Sequence, residues 1–62
     1  MADTKDRILD AAEALFADRG LSETSMRAIT RAADVNLAAA NYHFGSKEAL
    51  IQAVFARRAA AL

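Results

Sequence analysis

The sequence predicts an all-α domain: a three-helix bundle with a homeodomain-like helix-turn-helix, followed by the start of a fourth, connecting helix. Three observations carry that prediction. The 62 residues include no proline, only two glycines and 17 alanines, so little interrupts a helix. Polar residues of the capping kind stand before four segments whose apolar positions recur with helical period. The second and third segments are separated by only two or three residues, which forces a steep crossing in place of a long hairpin; by punctuation alone a generic small helical bundle stays open beside the helix-turn-helix.

Each element follows from its punctuation. Asp3 or Thr4 caps the first helix, whose Ile8, Ala12, Leu15 and Phe16 share one stripe. Gly20 ends it, because glycine accepts a left-handed backbone at little cost, and Leu21 then folds back on Phe16. Thr24 or Ser25 caps the second helix, "MRAITRAA", with Met26, Ile29 and Ala33 on its inner side. Asp34 tolerates the turn that follows. Asn36 caps a third helix over about residues 37–44, and Ser46 caps the fourth. In the fourth, Leu50, Val54 and Phe55 are the apolar positions, with Arg57 and Arg58 further along. No repeat, low-complexity tract or linker divides the chain.

Composition bounds the function. Half of the apolar residues are alanine, so the large apolar side chains suffice for one small core and leave no room for a buried ligand cavity of ordinary size. Without cysteine there is neither a disulfide framework nor a thiolate metal site, as in a reducing compartment. One histidine, no metal-spaced cluster and one acid pair on a solvated helix face, Asp6 with Asp10, leave an enzyme without support. No catalytic residue, metal or cofactor is therefore expected. The start "MADTKDRILD" lacks the apolar stretch of a signal peptide, and no apolar run approaches the ~20 residues that cross a bilayer. The chain reads as cytoplasmic, with no membrane partner.

Net charge is zero, but its distribution is uneven. Residues 1–24 carry Asp3, Asp6, Asp10, Glu13, Asp18 and Glu23 against Lys5, Arg7 and Arg19. Residues 25–62 carry Arg27, Arg31, Lys47, Arg57 and Arg58 against Asp34 and Glu48. That asymmetry points to one polarised, basic face.

The third helix is where that face acquires a purpose. Val35, Ala40 and Phe44 have the spacing to meet Met26 and Ile29 in the core. Leu37, Ala38, Asn41 and Tyr42 then face outward, with Ala39 at the edge. Such a patch makes sense if another surface presses against it, and the DNA major groove admits a helix at close range. Small apolar groups there can meet thymine methyls, where larger ones would hold the backbone away. Ser25 offers a hydroxyl beside the free N–H groups of the second helix, a natural anion site. Tyr42 and His43 bring a phenol and an imidazole to the far end. Lys47 lies in the first turn of the fourth helix, where the dipole disfavours a cation and a phosphate partner would account for it. Arg27 is long enough to reach a guanine edge.

Each residue also has a plainer reading. Ser25 is a cap in any case, His43 can be a surface histidine, and Tyr42 can lie along the bundle with its hydroxyl in water. The Leu37-Ala38-Ala39 patch can serve a small helical protein–protein interaction module instead of DNA. Convergence of so many groups on one motif favours DNA.

The stretch "RILDAAEALFADRGLSETSMRAITRAADVNLAAANYHFGSKEAL" resembles the N-terminal DNA-binding domain of the TetR family of bacterial transcriptional repressors. The likeness runs from Arg7 to about Val54: the first helix "ILDAAEALF…G", the "TS" cap with an isoleucine four residues after Ser25, and the ending "YHF-x-SKEAL". The wording "VNLAA-x-NYHFGSKEALIQAVF" looks closest to PsrA-like regulators of fatty-acid metabolism. The resemblance implies a homodimeric repressor that inserts its third helix into the major groove of double-stranded DNA at each half of a palindromic operator. By analogy, Ser25, Tyr42, His43 and Lys47 contact phosphates, while Arg27, Leu37, Ala38, Ala39 and Asn41 lie at or near bases. Residues 1–46 form the DNA-binding domain, and residues 47–62 begin the connecting helix to a ligand-binding and dimerisation domain that takes a small-molecule inducer. The chain then reads as part of a longer protein or as a truncated one. Many members have glycine where Asp34 stands, glycine or proline at Ala38, and an aromatic at Asn41. Here the phenol sits one residue later, about 100° further round the helix. Ala40 replaces a larger aliphatic, which implies a thinner core beneath the third helix.

Overall fold

A computed structural model describes residues 3–62; residues 1 and 2, with which the expected DNA-binding domain begins, lie outside the described residues. The described chain is all helical: α1 (Thr4–Arg19), α2 (Met26–Ala33), α3 (Leu37–Phe44) and α4 (Lys47–Ala61). Each starts on a capping side chain that accepts a hydrogen bond from the backbone three residues on. Asp3 serves Asp6 at 2.8 Å, Ser25 serves Ala28 at 3.0 Å, Asn36 serves Ala39 at 2.8 Å and Ser46 serves Ala49 at 3.1 Å. Each bond satisfies one of the N–H groups that a helix leaves free at its start, and is worth about 1 kcal/mol. Where the sequence left two caps open, Asp3 and Ser25 are chosen.

Thr24, the other candidate for α2, has a different role. It is fully buried, and its hydroxyl donates to the Gly20 carbonyl at 2.8 Å and to that of Leu15 at 3.3 Å. It thereby pins the loop after α1 onto that helix. Gly20 has the positive φ expected of it, +88°, but a ψ of 162°, so its backbone is the mirror image of extended rather than left-handed helical. That region is open essentially to glycine alone.

α1 packs against α2, α3 and α4, while α3 touches both α2 and α4. The core is Ile8, Leu9, Ala12, Ile29, Ala33, Ala40, Leu50 and Val54, with Leu15, Phe16, Met26, Val35 and Phe44 half buried around it. Two assignments of the sequence change here. Leu9 is buried although the period of the first helix selected Ile8 alone in that turn. Phe55, expected among the core positions of α4, is 59% exposed. It borders an open groove with Phe16, Leu21 and Val54, so the predicted return of Leu21 towards Phe16 leads to a groove rather than to the core.

The turn from α2 to α3 is a Schellman motif. Asp34 takes φ 59° and ψ 47°, its N–H bonds to the Arg31 carbonyl at 3.2 Å, and the Val35 N–H bonds to that of Thr30 at 3.0 Å. Two residues later Asn36 has already capped α3, which fixes the short, steep connection of a helix-turn-helix.

Candidate nucleic-acid interface

α3 presents its outer face as expected, with one modification. Ala38, Asn41, Tyr42 and His43 are exposed, and Tyr42 is 86% so. Leu37 and Ala39 are half buried, so Leu37 forms a shoulder of the surface and is not fully outward. Residues 38, 41 and 42 lie three and four apart, hence on one side of the helix. Opposite them Ala40 is fully buried, the one α3 residue in the buried core, with Val35 and Phe44 half buried beside it. A helix seated on a methyl group lies close to what is beneath it, in keeping with the thin core inferred from its sequence.

Around this helix the structure brings some predicted residues together and leaves others at its ends. Arg27 is exposed and borders one concavity with Thr30, Arg31, Val35 and Leu37, which joins α2 to the start of α3. The rings of Tyr42 and His43 meet edge to face with centroids 5.3 Å apart. Ser25 stands before the first turn of α2, where the Met26 and Arg27 N–H groups have no partner within the helix. Lys47 opens α4, half buried, directly after Gly45 (φ 88°) and Ser46 turn the chain out of α3. Among the described residues no side-chain hydrogen bond or ion pair joins Ser25 or Lys47 to the outward side chains of α3.

The charges sort differently from the simple division of the chain into halves. Arg57 reaches Asp10 and Glu13, each at 2.8 Å, and Arg58 reaches Glu13 at 3.1 Å. The hydrogen bonds that Arg57 donates to Glu13 first, then to Asp10, push its guanidinium still higher than its ordinary value. Two of the five bases after residue 24 therefore tie α4 back to the acidic α1. Among the described residues Arg27, Arg31 and Lys47 enter no ion pair, which leaves three cations unengaged by acids on α2 and at the start of α4.

Two residues gain significance that the sequence did not give them. Arg31 shares the concavity with Arg27, one helical turn further on, a relation its i+4 spacing already contained. Arg7 donates to the main chain at the α2–α3 corner, 26 residues away, for which no local signal existed. No group of three or more potential metal-ligating residues occurs among the described residues, and no described helix is long and apolar enough to cross a membrane.

Comparison with known proteins agrees with this geometry. Residues 8–54 match the family model for bacterial regulatory proteins of the tetR family. The chain is 45% identical over 49 residues to the probable HTH-type transcriptional regulator YttP of Bacillus subtilis, covering 79% of this chain and 24% of that protein. It is 43% identical over 51 residues to the HTH-type transcriptional regulator UidR of Escherichia coli, covering 82% of this chain and 26% of the relative. The HTH-type transcriptional repressor KstR2 of Mycolicibacterium smegmatis is 38% identical over 53 residues, 86% of this chain and 26% of the relative. The chain thus spans about a quarter of the length of these curated relatives.

Proposed function

The chain belongs to the tetR family of bacterial regulatory proteins; from that premise we propose that it is a DNA-binding transcription regulator rather than an enzyme, the operator-binding head of a repressor, with α3 in the major groove. The observation that supports this most is the outer face of α3. It sets a methyl-sized Ala38 beside Asn41 on an exposed helix whose flanking cations Arg27, Arg31 and Lys47 are not engaged by acids.

In this reading Ser25, Tyr42, His43 and Lys47 hold phosphates and so set the register of the helix on the duplex. Arg27 reads a guanine edge through two parallel hydrogen bonds, and Asn41 is suited in the same way to adenine. Ala38 and Ala39 give clearance and methyl contacts, and Leu37 touches bases only with the part that its half-burial leaves free. Residues 1–46 then act as the DNA-binding part, and residues 47–62 as the start of the connection to a ligand-binding and dimerisation domain. In the full-length homodimer two such heads address a palindromic operator, and a small-molecule inducer acts through the other domain. A protein-interaction patch at Leu37-Ala38-Ala39 has less in its favour, because only Ala38 of the three is exposed and the other two are half buried.

Selection of bound duplexes from a random DNA pool tests the proposal. The expected outcome is an enriched motif, palindromic where two heads bind, whose affinity falls steeply with salt as counterions are released. Isolated heads bind more weakly than a dimer, since joining two heads raises effective concentration. Recovery of no motif, or binding that Arg27→Ala and Lys47→Ala both leave unchanged, would refute it.

A further inference from the structure

Arg7 belongs to α1, outside the two helices of the helix-turn-helix, yet its side chain ends at their corner. Its Nη2 donates to the Ala33 carbonyl at 2.7 Å and lies 3.4 Å from that of Asp34. Ala33 is the last residue of α2, where a carbonyl has no partner within the helix and a cation is favoured by the helix dipole. The Schellman bonds occupy the Thr30 and Arg31 carbonyls, so Arg7 supplies a bond that the motif does not. It grips the one described non-glycine residue with positive φ, Asp34, and the residue before it.

We propose that Arg7 is a positioning residue for DNA recognition: it pins the α2–α3 corner to α1 and so sets the angle at which α3 is presented. The inference rests on the functional reading above. α3 begins three residues beyond Asp34 and is eight residues long, or about 12 Å at the usual helical rise. A tilt of about 10° at the corner carries its far end about 2 Å, more than hydrogen-bond geometry to a base edge or phosphate tolerates. Ala40 is the one α3 residue in the buried core and Phe44 is only half buried beside it, so the clamp at the base of the helix has weight in setting its angle. Arg7 acts here through the backbone and touches no nucleotide.

Arg7→Ala and Arg7→Lys test this, compared with the unaltered chain on the duplex recovered by the selection. Affinity is read by fluorescence anisotropy across a salt series, at a temperature where circular dichroism shows each variant folded. Arg7→Ala is expected to bind about tenfold more weakly, within the range by which residues remote from a ligand modulate its binding. Its salt slope stays unchanged, because no phosphate contact is lost. Amide exchange at Val35, whose N–H closes the corner, quickens, while exchange at Ala12 in α1 does not. Arg7→Lys keeps the charge but not the fork, and falls between. A folded Arg7→Ala that binds like the unaltered chain overturns the proposal. So does a salt slope reduced by about one, the mark of a direct phosphate contact. Should Arg7→Ala not fold, Arg7→Lys decides: weaker binding and faster Val35 exchange must appear together, and either without the other overturns the idea. Failure of the unaltered chain to bind any duplex refutes the functional reading itself, and the role of Arg7 with it.

Discussion

Asp34→Gly should stabilise the domain. Asp34 holds φ 59° and ψ 47°, a left-handed conformation that costs an ordinary L-residue about 1–2 kcal/mol and aspartate somewhat less. Its carboxylate also follows the C-terminus of α2, where a negative charge opposes the dipole by roughly 0.3–1 kcal/mol. Glycine removes both terms and adds back roughly 0.5–1 kcal/mol through the greater freedom of the unfolded chain. The Arg7 bond goes to the main-chain oxygen, which glycine keeps. The balance is a gain of about 1 kcal/mol, which in a domain of this size raises Tm by roughly 4–8 °C. Thermal unfolding followed by circular dichroism measures it, with two controls that separate the terms. Asp34→Asn removes the charge and keeps the tolerance for left-handed geometry, so it should gain about half as much. Asp34→Ala removes the charge but keeps a Cβ without that tolerance, and should gain nothing. If glycine and alanine proved equal, or if glycine lowered Tm, the backbone at residue 34 would not be the source of strain and the reasoning would fail.

The other expectations concern the core, a cap, the surface network and the interface. Ala40→Leu places three more carbons in a fully buried site and should destabilise by about 1–3 kcal/mol in urea titrations. Ser25→Ala removes the bond to Ala28 and should cost about 1 kcal/mol by the same measurement. Arg57→Ala should cost no more than about 1 kcal/mol, with the difference shrinking in high salt, since its partners are partly exposed. The raised guanidinium value means that from neutral pH up to the ordinary arginine range this contribution does not change with pH, and that it is lost on the alkaline side only as pH climbs past that range, so salt is the useful probe. Lys47→Ala should lower the salt slope of DNA binding by about one and weaken all duplexes alike, while leaving stability equal or slightly higher, because a cation at a helix start is unfavourable.

The four helix starts were legible because capping is a contact between residues three apart. Asp3 with Asp6, Ser25 with Ala28, Asn36 with Ala39 and Ser46 with Ala49 need no knowledge of the rest of the chain. The bounds of the third helix, the need for positive φ at Gly20, and the outward turn of Ala38, Asn41 and Tyr42 are local in the same sense. Phe55 was misplaced for the complementary reason. Leu50 and Val54 fix which stripe of α4 meets the core, and Phe55 sits about 100° from Val54. Whether that flank is covered depends on where α1 lies, not on the apolar character of the residue. Thr24 shows the same limit: its sequence neighbours suggest a cap, while the proximity of the Gly20 and Leu15 carbonyls makes it a buried clasp.

The sequence by itself determined the helices, their order, the caps of the third and fourth and the small-residue outer face of α3, because period and capping act within a turn or two. Only the tertiary structure decided which charges remain available and where the Arg7 side chain ends. Arg57 meets Glu13 across 44 positions and Arg7 meets Ala33 across 26. Such meetings are fixed by how the core packs the helices together, and nothing in the spacing of the charges announces them.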